Sequence, residues 1–339
     1  LWAGNSWVQI KNGGGMSDLS APSVSVILPI LNEESDLENC ITAILQQDYD
    51  GELEVILALG PSKDSTDLIA QKIAAKDKRV KLVKNPTGLT AAGLNLAIKA
   101  SSFEIICRID GHAEISKTYI KSAVSIMKET GAVNVGGIMF ADSDQGLQRT
   151  VAQAMRSKLG VGPSKFHTGG GAGESETVYL GTFKKSAILA AGGFDERFIR
   201  AQDWELNHRI RKQGGLIWFD PRLVVTYRPR KTLSKLARQY FQYGRWRRVI
   251  TRTHSNTSSL RYLAPPFAFV VNLFSLILGI FISPLLLLPL SIYVITLVIG
   301  GFMIGIKIAD KLLMPLVLAT MHMSWGLGFI TSPKNLLKS

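Results

Sequence analysis

The chain has 339 residues, 46% of them hydrophobic, and a formal net charge of +13 at pH 7. This length suits one large domain with an appendage, and two cysteines are too few for the disulfide framework of a small secreted protein. Cys40 and Cys107 fall within a predicted helix and a predicted strand and lack metal-binding spacing, so we expect two reduced thiols in the core.

The start of the chain lacks the basic flank and the long apolar core of a secretory signal. A run of three glycines precedes Met16. We therefore expect residues 1–15 to be a cloning remnant or an unstructured lead.

From Val24 onward, short β-branched runs alternate with helical periodicity. This alternation predicts an α/β fold with a mostly parallel sheet flanked by crossover helices. The first four predicted strands are Val24–Pro29, Leu53–Leu59, Val80–Lys84 and Phe103–Ile109. The helices predicted beside them are Glu34–Gln47, Ser65–Ala75, Thr90–Ala100 and Ser116–Glu129.

The pattern loosens after a further predicted strand, Val133–Phe140. Gly160–Gly173 is rich in glycine and need not pack, so it is either a mobile active-site loop or a surface loop without function. Three later elements are a helix at Gln202–Lys212, a strand at Leu216–Phe219 and an amphipathic basic helix at Leu233–Thr253.

The apolar residues concentrate near the end of the chain, where Ala264–Ile306 contains no charged side chain. As helix this run is long enough to cross a bilayer of about 30 Å twice, and the proline of Ser283-Pro284 is placed to reverse the chain between two spans. Leu312–Ile330 is less lipid-like and is either a third span or a re-entrant segment.

Basic residues crowd the approach to this apolar run, and after Asp220 the only acidic residue is Asp310. Such a cluster is typical of a cytoplasmic segment that faces anionic lipids. Nucleic-acid binding is the competing interpretation, but a position directly before an apolar span argues against it. The cluster contains Arg228, Arg230, Lys231, Lys235, Arg238, Arg245, Arg247, Arg248, Arg252 and Arg261.

Asp110-Gly111-His112 comes where a predicted strand ends, which in open α/β sheets is where ligands bind. Carboxylate and imidazole both bind divalent cations, and a cation here would neutralise charge on a departing diphosphate. The structural alternative is that Asp110 caps a turn and His112 bonds nearby backbone.

Two other segments carry polar groups at the ends of predicted elements. Asn32 and Glu33 follow the first strand and are candidates to contact a nucleobase or ribose, although Asn32 is also a suitable helix cap. Asp203 lies in the first turn of a predicted helix, where the helix dipole favours its ionised form and suits it to act as a general base. In the structural alternative Asp203 only complements the dipole and Trp204 belongs to the core.

The basic helix contains Gln242-Tyr243-Gly244-Arg245-Trp246. Aromatic faces support sugar rings and arginine binds phosphate through two parallel hydrogen bonds, so this segment is a candidate acceptor site. The alternative is an interfacial helix with an aromatic anchor.

Taken in order, these segments resemble the inverting family 2 glycosyltransferases, which have the Rossmann-like GT-A fold and include cellulose and hyaluronan synthases. In detail the chain is similar to succinoglycan-type glucosyltransferases. The resemblance covers about residues 24–246. It implies donor-binding roles for Pro29, Asn32, Glu33, Asp64, Asn85, Gly88, Asn95 and Asp110.

The chain departs from the family pattern at three places. Gly60-Pro61-Ser62-Lys63 replaces an acidic pair before Asp64, His112 replaces the second aspartate of the Asp-x-Asp metal motif, and Gln202 replaces the glutamate before the catalytic Asp203. Imidazole should favour Mn²⁺ somewhat over Mg²⁺ in a site formed by Asp110 and His112.

The resemblance implies acceptor-side roles for Gln202, Trp204, Gln242, Arg245 and Trp246. It also implies direct displacement, in which Asp203 deprotonates an acceptor hydroxyl that attacks the anomeric carbon of a nucleotide-diphospho-sugar. The expected donor is a UDP-hexose. The expected acceptor is lipid-linked or a glycan in cell-surface polysaccharide synthesis.

The expected organisation is a catalytic domain at residues 16–230, a basic interface region at 231–262 and membrane helices at 263–339, with the catalytic domain on the cytoplasmic side of the cytoplasmic membrane. Membrane lipids are expected partners, nucleic acid is not, and the sequence leaves homo-oligomerisation open. Two alternatives remain, a transferase of one sugar to polyprenyl phosphate and a membrane-bound sugar-nucleotide-binding protein without catalysis.

Overall fold

The computed structural model describes residues 21–255 and 257–337, so the expectation for residues 1–15 lies outside the described residues. The strands are β1 (Val24–Ile30), β2 (Leu53–Leu59), β3 (Val80–Lys84), β4 (Ile105–Arg108), β5 (Glu114–Ile115), β6 (Asn134–Ala141), β7 (Gly173–Glu174), β8 (Tyr179–Lys184) and β9 (Ile217–Tyr227).

The helices before the basic segment are α1 (Leu37–Leu45), α2 (Thr66–Lys76), α3 (Thr90–Ala100), α4 (Tyr119–Thr130), α5 (Gly146–Met155), α6 (Lys158–Val161), α7 (Lys165–Thr168), α8 (Lys185–Ala190) and α9 (Gln202–Lys212). After them come α10 (Leu233–Thr253), α11 (Leu260–Phe281), α12 (Leu288–Ile304) and α13 (Ile308–Ile330).

One sheet organises the described residues, in the order β3-β2-β1-β4-β8-β6-β9-β5, with β7 paired to β9. The first four strands in this order are parallel, whereas β8 is antiparallel to both its neighbours. The two faces of the sheet pack on separate apolar clusters, one formed with α1 and α4 and the other with α3 and α9. The predicted α/β fold with a mostly parallel sheet is confirmed.

The predicted strand at Leu216–Phe219 is too short, because β9 continues to Tyr227 through Pro221. The register with β6 jumps from Gly136 opposite Phe219 to Ile138 opposite Val224, so the intervening residues of β9 bulge out and Pro221 needs no ladder hydrogen bond. Gly137 lies so close to the Leu223 carbonyl that a side chain has no room there.

The glycine-rich segment does pack, contrary to expectation. It forms α6 and α7, the ring of His167 lies 4.3 Å from that of Phe166, and His322 in α13 contacts the Leu159 carbonyl at 2.8 Å. Gly160 has no room for a side chain because it lies against the Ala154 carbonyl. The start of this segment therefore packs between α5 and α13.

Within the part of the chain that the structure describes, three helices are long and apolar enough to cross a membrane, at Leu260–Phe281, Pro284–Ile304 and Ile308–Ile330. The chain reverses before the second of these segments, as predicted from Ser283-Pro284. That segment begins with a 3₁₀ turn at Pro284–Leu287. The third is one continuous helix and is 39% buried, compared with 22% and 17% for the others, because it packs against α10, α5 and both neighbours.

A buried ion pair joins this third helix to the rest of the protein. Asp310, in the first turn of α13, is fully buried and accepts hydrogen bonds from Arg149 at 2.9–3.1 Å, from Thr150 at 3.0 Å and from Gln153 at 3.1 Å. These partners lie on α5, so the isolated acidic residue of the membrane region fixes α13 to the sheet-containing part.

Candidate functional site

The candidate site forms where β1 and β4 end and α9 begins. Both strands are parallel neighbours, so their carboxyl ends lie at one edge of the sheet. Asp110 follows β4, Glu33 follows β1, and Asp203 lies in the first turn of α9. Residues distant in sequence are thus brought to one edge, as predicted for Asp110 and Asp203.

Arg108, the last residue of β4, connects the two aspartates. Its guanidinium donates to Asp110 Oδ1 at 3.0 Å and forms a second ion pair with Asp203 Oδ1. The Arg108 side chain is only 5% exposed, and such a buried cation requires carboxylate partners. Arg108 therefore fixes the positions of Asp110 and Asp203, the two candidate acids predicted from the sequence.

The environment of Asp203 changes its acidity. Burial raises the pKa of Asp203 above its ordinary value, and the nearby Asp110 adds to this, while Arg108 lowers it. Asp203 Oδ1 is used by Arg108, which leaves Oδ2 for an incoming hydroxyl. Ala201, the residue before the helix, has a left-handed φ of 61°, so the backbone that sets Asp203 in place is in a costly conformation.

His112 is oriented by Glu33. His112 Nδ1 lies 3.0 Å from Glu33 Oε1, and this hydrogen bond raises the pKa of His112 against the lowering effect of burial. Gly111 makes the approach possible, because a Cβ there would lie 2.8 Å from Ile30 Cδ1 and 3.1 Å from Glu33 Cγ. A side chain at this position would crowd Ile30 and Glu33, so glycine suits the turn that brings His112 to Glu33.

The donor set suits a divalent cation in part. A histidine that binds metal usually gives its other ring nitrogen to a carboxylate, as His112 does with Glu33, and its Nε2 remains for a metal. The described residues include no group of three His, Cys, Asp or Glu side chains able to hold an ion. Asp110 and His112 would therefore need diphosphate oxygens or water to complete the coordination.

Asn32 and Asp64 connect the loops after β1 and β2. Asn32 has a left-handed φ of 55°, and its Oδ1 accepts the Lys63 N–H at 2.8 Å. Asp64 accepts from the N–H of Glu34 at 3.4 Å and from the Thr66 hydroxyl at 2.5 Å. These side chains shape the loops, and their contact with a donor remains a prediction.

Two expected donor ligands, Asn85 and Asn95, make hydrogen bonds to neighbouring backbone, and their contact with a donor stays a prediction. Asn85 is 2% exposed and bonds the Leu89 carbonyl at 3.1 Å. Asn95 binds both the N–H and the carbonyl of Phe194 at 2.9 Å. Asparagine amides bond neighbouring backbone well, and here they hold loops in shape.

Gly88 and Pro29 have backbone roles. Gly88 has a φ of +65° and lies against Pro61, where a Cβ would approach within 3.1 Å of the proline ring, so glycine suits the turn. Pro29 lies in β1 next to its buried end, with its ring partly exposed.

The two tryptophans expected to contact the acceptor are buried together. Trp204 is 7% and Trp246 is 2% exposed, and they share one apolar cluster with Phe198. Trp204 therefore belongs to the core, as in the structural alternative. Burial of its large aromatic ring is more favourable than exposure to water. Sugar stacking on either ring would require the cluster to open.

The polar members of the acceptor group are more accessible. Gln202 and Gln242 are half-buried, and the Arg245 guanidinium lies 5.6 Å from the Phe241 ring centre. Arg245 Nε is buried without a hydrogen-bond partner within the described ranges. These groups remain available for a bound ligand, and their roles stay predictions.

Sequence reasoning missed Arg108 as a site residue. The available signal was a single cation inside an apolar strand, Ile105-Ile106-Cys107-Arg108-Ile109, because a buried arginine requires a carboxylate nearby. It also missed that Glu33 orients His112, which no spacing could reveal.

Comparisons with known proteins show which proteins the chain is similar to. Residues 25–188 match the model of glycosyl transferase family 2. The chain is 29% identical to succinoglycan biosynthesis protein ExoA of Rhizobium meliloti over 92% of this chain and 95% of that protein. It is 26% identical to a dolichyl N-acetyl-glucosaminyl phosphate glucuronosyltransferase of Methanococcus voltae over 93% of this chain and 97% of that protein.

Among solved structures, a mannosyltransferase from Pyrobaculum calidifontis, in complex with GDP-mannose and Mn²⁺, superposes with a TM-score of 0.59 at 18% identity. The superposition covers 93% of this chain and 88% of that one, and at this identity it supports the fold alone. Residues 25–188 therefore match a glycosyltransferase family 2 domain, and the fold of the chain is of the GT-A kind.

Proposed function

We propose that this glycosyltransferase is anchored in the cytoplasmic membrane, faces the cytoplasm and moves a hexose from a UDP-sugar to a lipid-linked or glycan acceptor with inversion. The observation that supports this most is the pair of ion pairs that Arg108 makes with Asp110 and Asp203. Asp110, the candidate metal ligand, bonds one terminal nitrogen of this guanidinium, and Asp203, the candidate base, bonds the other. The three apolar helices support the membrane anchor.

Each residue has a separate task in this mechanism. Asp203 Oδ2 accepts the proton of the acceptor hydroxyl as the oxygen attacks the anomeric carbon, and direct attack from the opposite side to the leaving diphosphate gives inversion. Arg108 holds Asp203 in place and lowers the pKa of this carboxyl against the effect of burial. The reaction therefore relies on positioning and electrostatics, with no covalent intermediate.

A divalent cation, Mn²⁺ or Mg²⁺, would be held by Asp110 and His112. When bound it neutralises charge on the leaving nucleoside diphosphate. Glu33 holds the His112 ring so that one nitrogen faces outward.

The test is a donor screen with purified full chain and membrane lipid extract, measured as nucleoside diphosphate release with and without chelator. We expect release that depends on donor, lipid and metal. Absence of release with every donor would favour the sugar-nucleotide-binding alternative, and chelator-resistant release would remove the metal claim. A product with a single sugar on polyprenyl phosphate would identify the other alternative.

A further inference from the structure

A half-buried cation with no ion-pair partner among the described residues lies against the ring of Trp204, the residue that follows the candidate base in sequence. The Arg247 guanidinium carbon is 4.8 Å from the ring centre of Trp204 and 3.7 Å from that of Tyr262. Its Nη1 is buried and makes no hydrogen bond within the described residues, and no acidic group there lies within ion-pair distance of it. Buried cations are normally paired, so this one indicates a missing anionic partner.

A second cation shares the same aromatic ring. Arg261, the second residue of α11, has its guanidinium carbon 5.1 Å from the Tyr262 ring centre. Its aliphatic chain lies against Gly162, where a Cβ would be 3.1 Å from Arg261 Cγ. Two guanidinium groups thus meet at one ring, enclosed by the glycine-rich segment.

The electrostatics of the pair favour an anion. Burial lowers the pKa of Arg247 and so does the neighbouring Arg261, while Tyr262 and the exposed Glu176 act in the opposite direction. A guanidinium remains charged at such a site, because its pKa starts far above neutrality. An anion between the two arginines would remove their repulsion and supply the missing acceptor.

The location identifies the kind of anion. Trp204, which Arg247 covers, directly follows Asp203, and Arg261 stands at the entrance of the first candidate membrane span. A sugar linked to a lipid carries its phosphate between the lipid chain and the first sugar ring. A phosphate at Arg247 would therefore lie between α9, the helix that carries Asp203, and the first residues of α11, where an attached sugar and an attached lipid chain can extend in different directions.

We infer that Arg247 and Arg261 bind the phosphate or diphosphate that joins an acceptor sugar to its lipid. This inference rests on the proposed function for the acceptor class, since the two arginines alone define an anion site. The donor diphosphate is expected at the other side of Asp203, near Asp110 and His112. The site therefore selects acceptors that carry both a lipid and an anionic linker.

The test uses the full chain in phosphatidylcholine nanodiscs, titrated calorimetrically with geranyl diphosphate in the absence of donor. Arg247→Gln is expected to bind at least about tenfold more weakly, as for loss of a charged hydrogen bond. The matched control is Arg248→Gln, the adjacent arginine, which stacks on Phe329 of α13 at 5.0 Å and should bind within about twofold of the parent.

Thermal melting checks that the variants fold. Should Arg247→Gln fail to fold, Arg261→Gln decides, because that side chain is only partly buried and is expected to weaken binding about threefold or more. Arg247→Lys is expected to restore part of the affinity.

Equal affinity of Arg247→Gln and Arg248→Gln would overturn the inference. So would inorganic pyrophosphate or phosphatidylglycerol competing as well as geranyl diphosphate, because the site would then be a general anion or lipid site. A loss of UDP affinity in Arg247→Gln would assign the arginine to the donor instead. If the parent chain releases no nucleoside diphosphate yet binds geranyl diphosphate through Arg247, the anion site stands and only the transferase proposal fails.

Discussion

The sheet edge and the face toward the apolar helices handle charge in opposite ways. At the edge, Arg108 is bound to two aspartates and His112 to Glu33. At the other face, Arg247 and Arg261 stack on aromatic rings and have no acidic partner within the described residues. The charged groups at the edge are paired with one another within the chain, whereas the helical face is arranged for an anion that comes from outside the chain.

The largest expected effect tests the edge. Asp203→Asn should lower the transfer rate by about 10²–10⁴, the usual contribution of a general base, because the amide cannot take a proton. UDP-sugar binding should stay nearly unchanged. Single-turnover transfer and calorimetric donor binding measure the two quantities.

The matched control for this change is Asp77→Asn. Like Asp203, Asp77 forms an ion pair with an arginine, here Arg79 at 2.7 Å. Asp77 lies before β3 and away from the site. Full activity should remain in that variant. Full activity in Asp203→Asn itself would remove the base assignment.

The next effect concerns the connection between the two regions. Asp310→Ala should destabilise the protein by about 3 kcal/mol, because Thr150 and Gln153 lose their buried acceptor and Arg149, which keeps 18% of its side chain exposed, loses its carboxylate. Thermal or denaturant unfolding in detergent measures it. Glu114→Ala breaks the exposed pair with Arg228 and should cost about 1 kcal/mol or less, so equal losses in the two variants would contradict the buried role of Asp310.

A smaller effect tests metal binding at the edge. His112→Ala should raise the Mn²⁺ concentration for half-maximal rate by about 10–100-fold, and Glu33→Gln by less, since Glu33 only orients the ring. The measurement is transfer rate against Mn²⁺ concentration after chelation. An unchanged Mn²⁺ requirement in His112→Ala would show that the imidazole does not hold the ion.

The smallest effect is on pH dependence. The base must be ionised, and burial raises the pKa of Asp203 above 3.8, so activity should be lost as pH falls through this raised pKa. Below it the rate should drop about tenfold per pH unit. Rates measured from pH 8 downward at saturating donor, with donor binding followed in parallel, check this. A rate that stays constant down to the ordinary aspartate pKa would contradict it.

The elements of the fold differ in how accurately their bounds could be predicted from the sequence. β2, β3, α3, α9 and α10 were predicted with their observed bounds, because clear apolar periodicity defines them. β9 was cut short at Phe219, since a proline inside a strand is tolerated only beside a bulge, and the bulge depends on Gly137 in another strand. Such partners across the sheet are invisible to local pattern.

The site shows the same division. Asp110 and Asp203 were selected by position at the ends of elements, and the structure brings them together. The choice of Arg108 as their common partner, the contact of Glu33 with His112 and the burial of Trp246 depend on distances between segments. The hydrogen bonds of Asn85 and Asn95 to local backbone are available to an asparagine in any loop, so spacing could not predict them, and the donor contacts expected of both residues stay predictions.

The ion pair between α5 and α13 limits how this protein can be prepared. A soluble fragment ending before residue 307 would delete Asp310 and leave Arg149, Thr150 and Gln153 facing water or detergent without the carboxylate that all three bind. Truncation would thus damage the catalytic half as well as remove the anchor. Biochemistry on this enzyme is best begun from the entire polypeptide in a bilayer mimic.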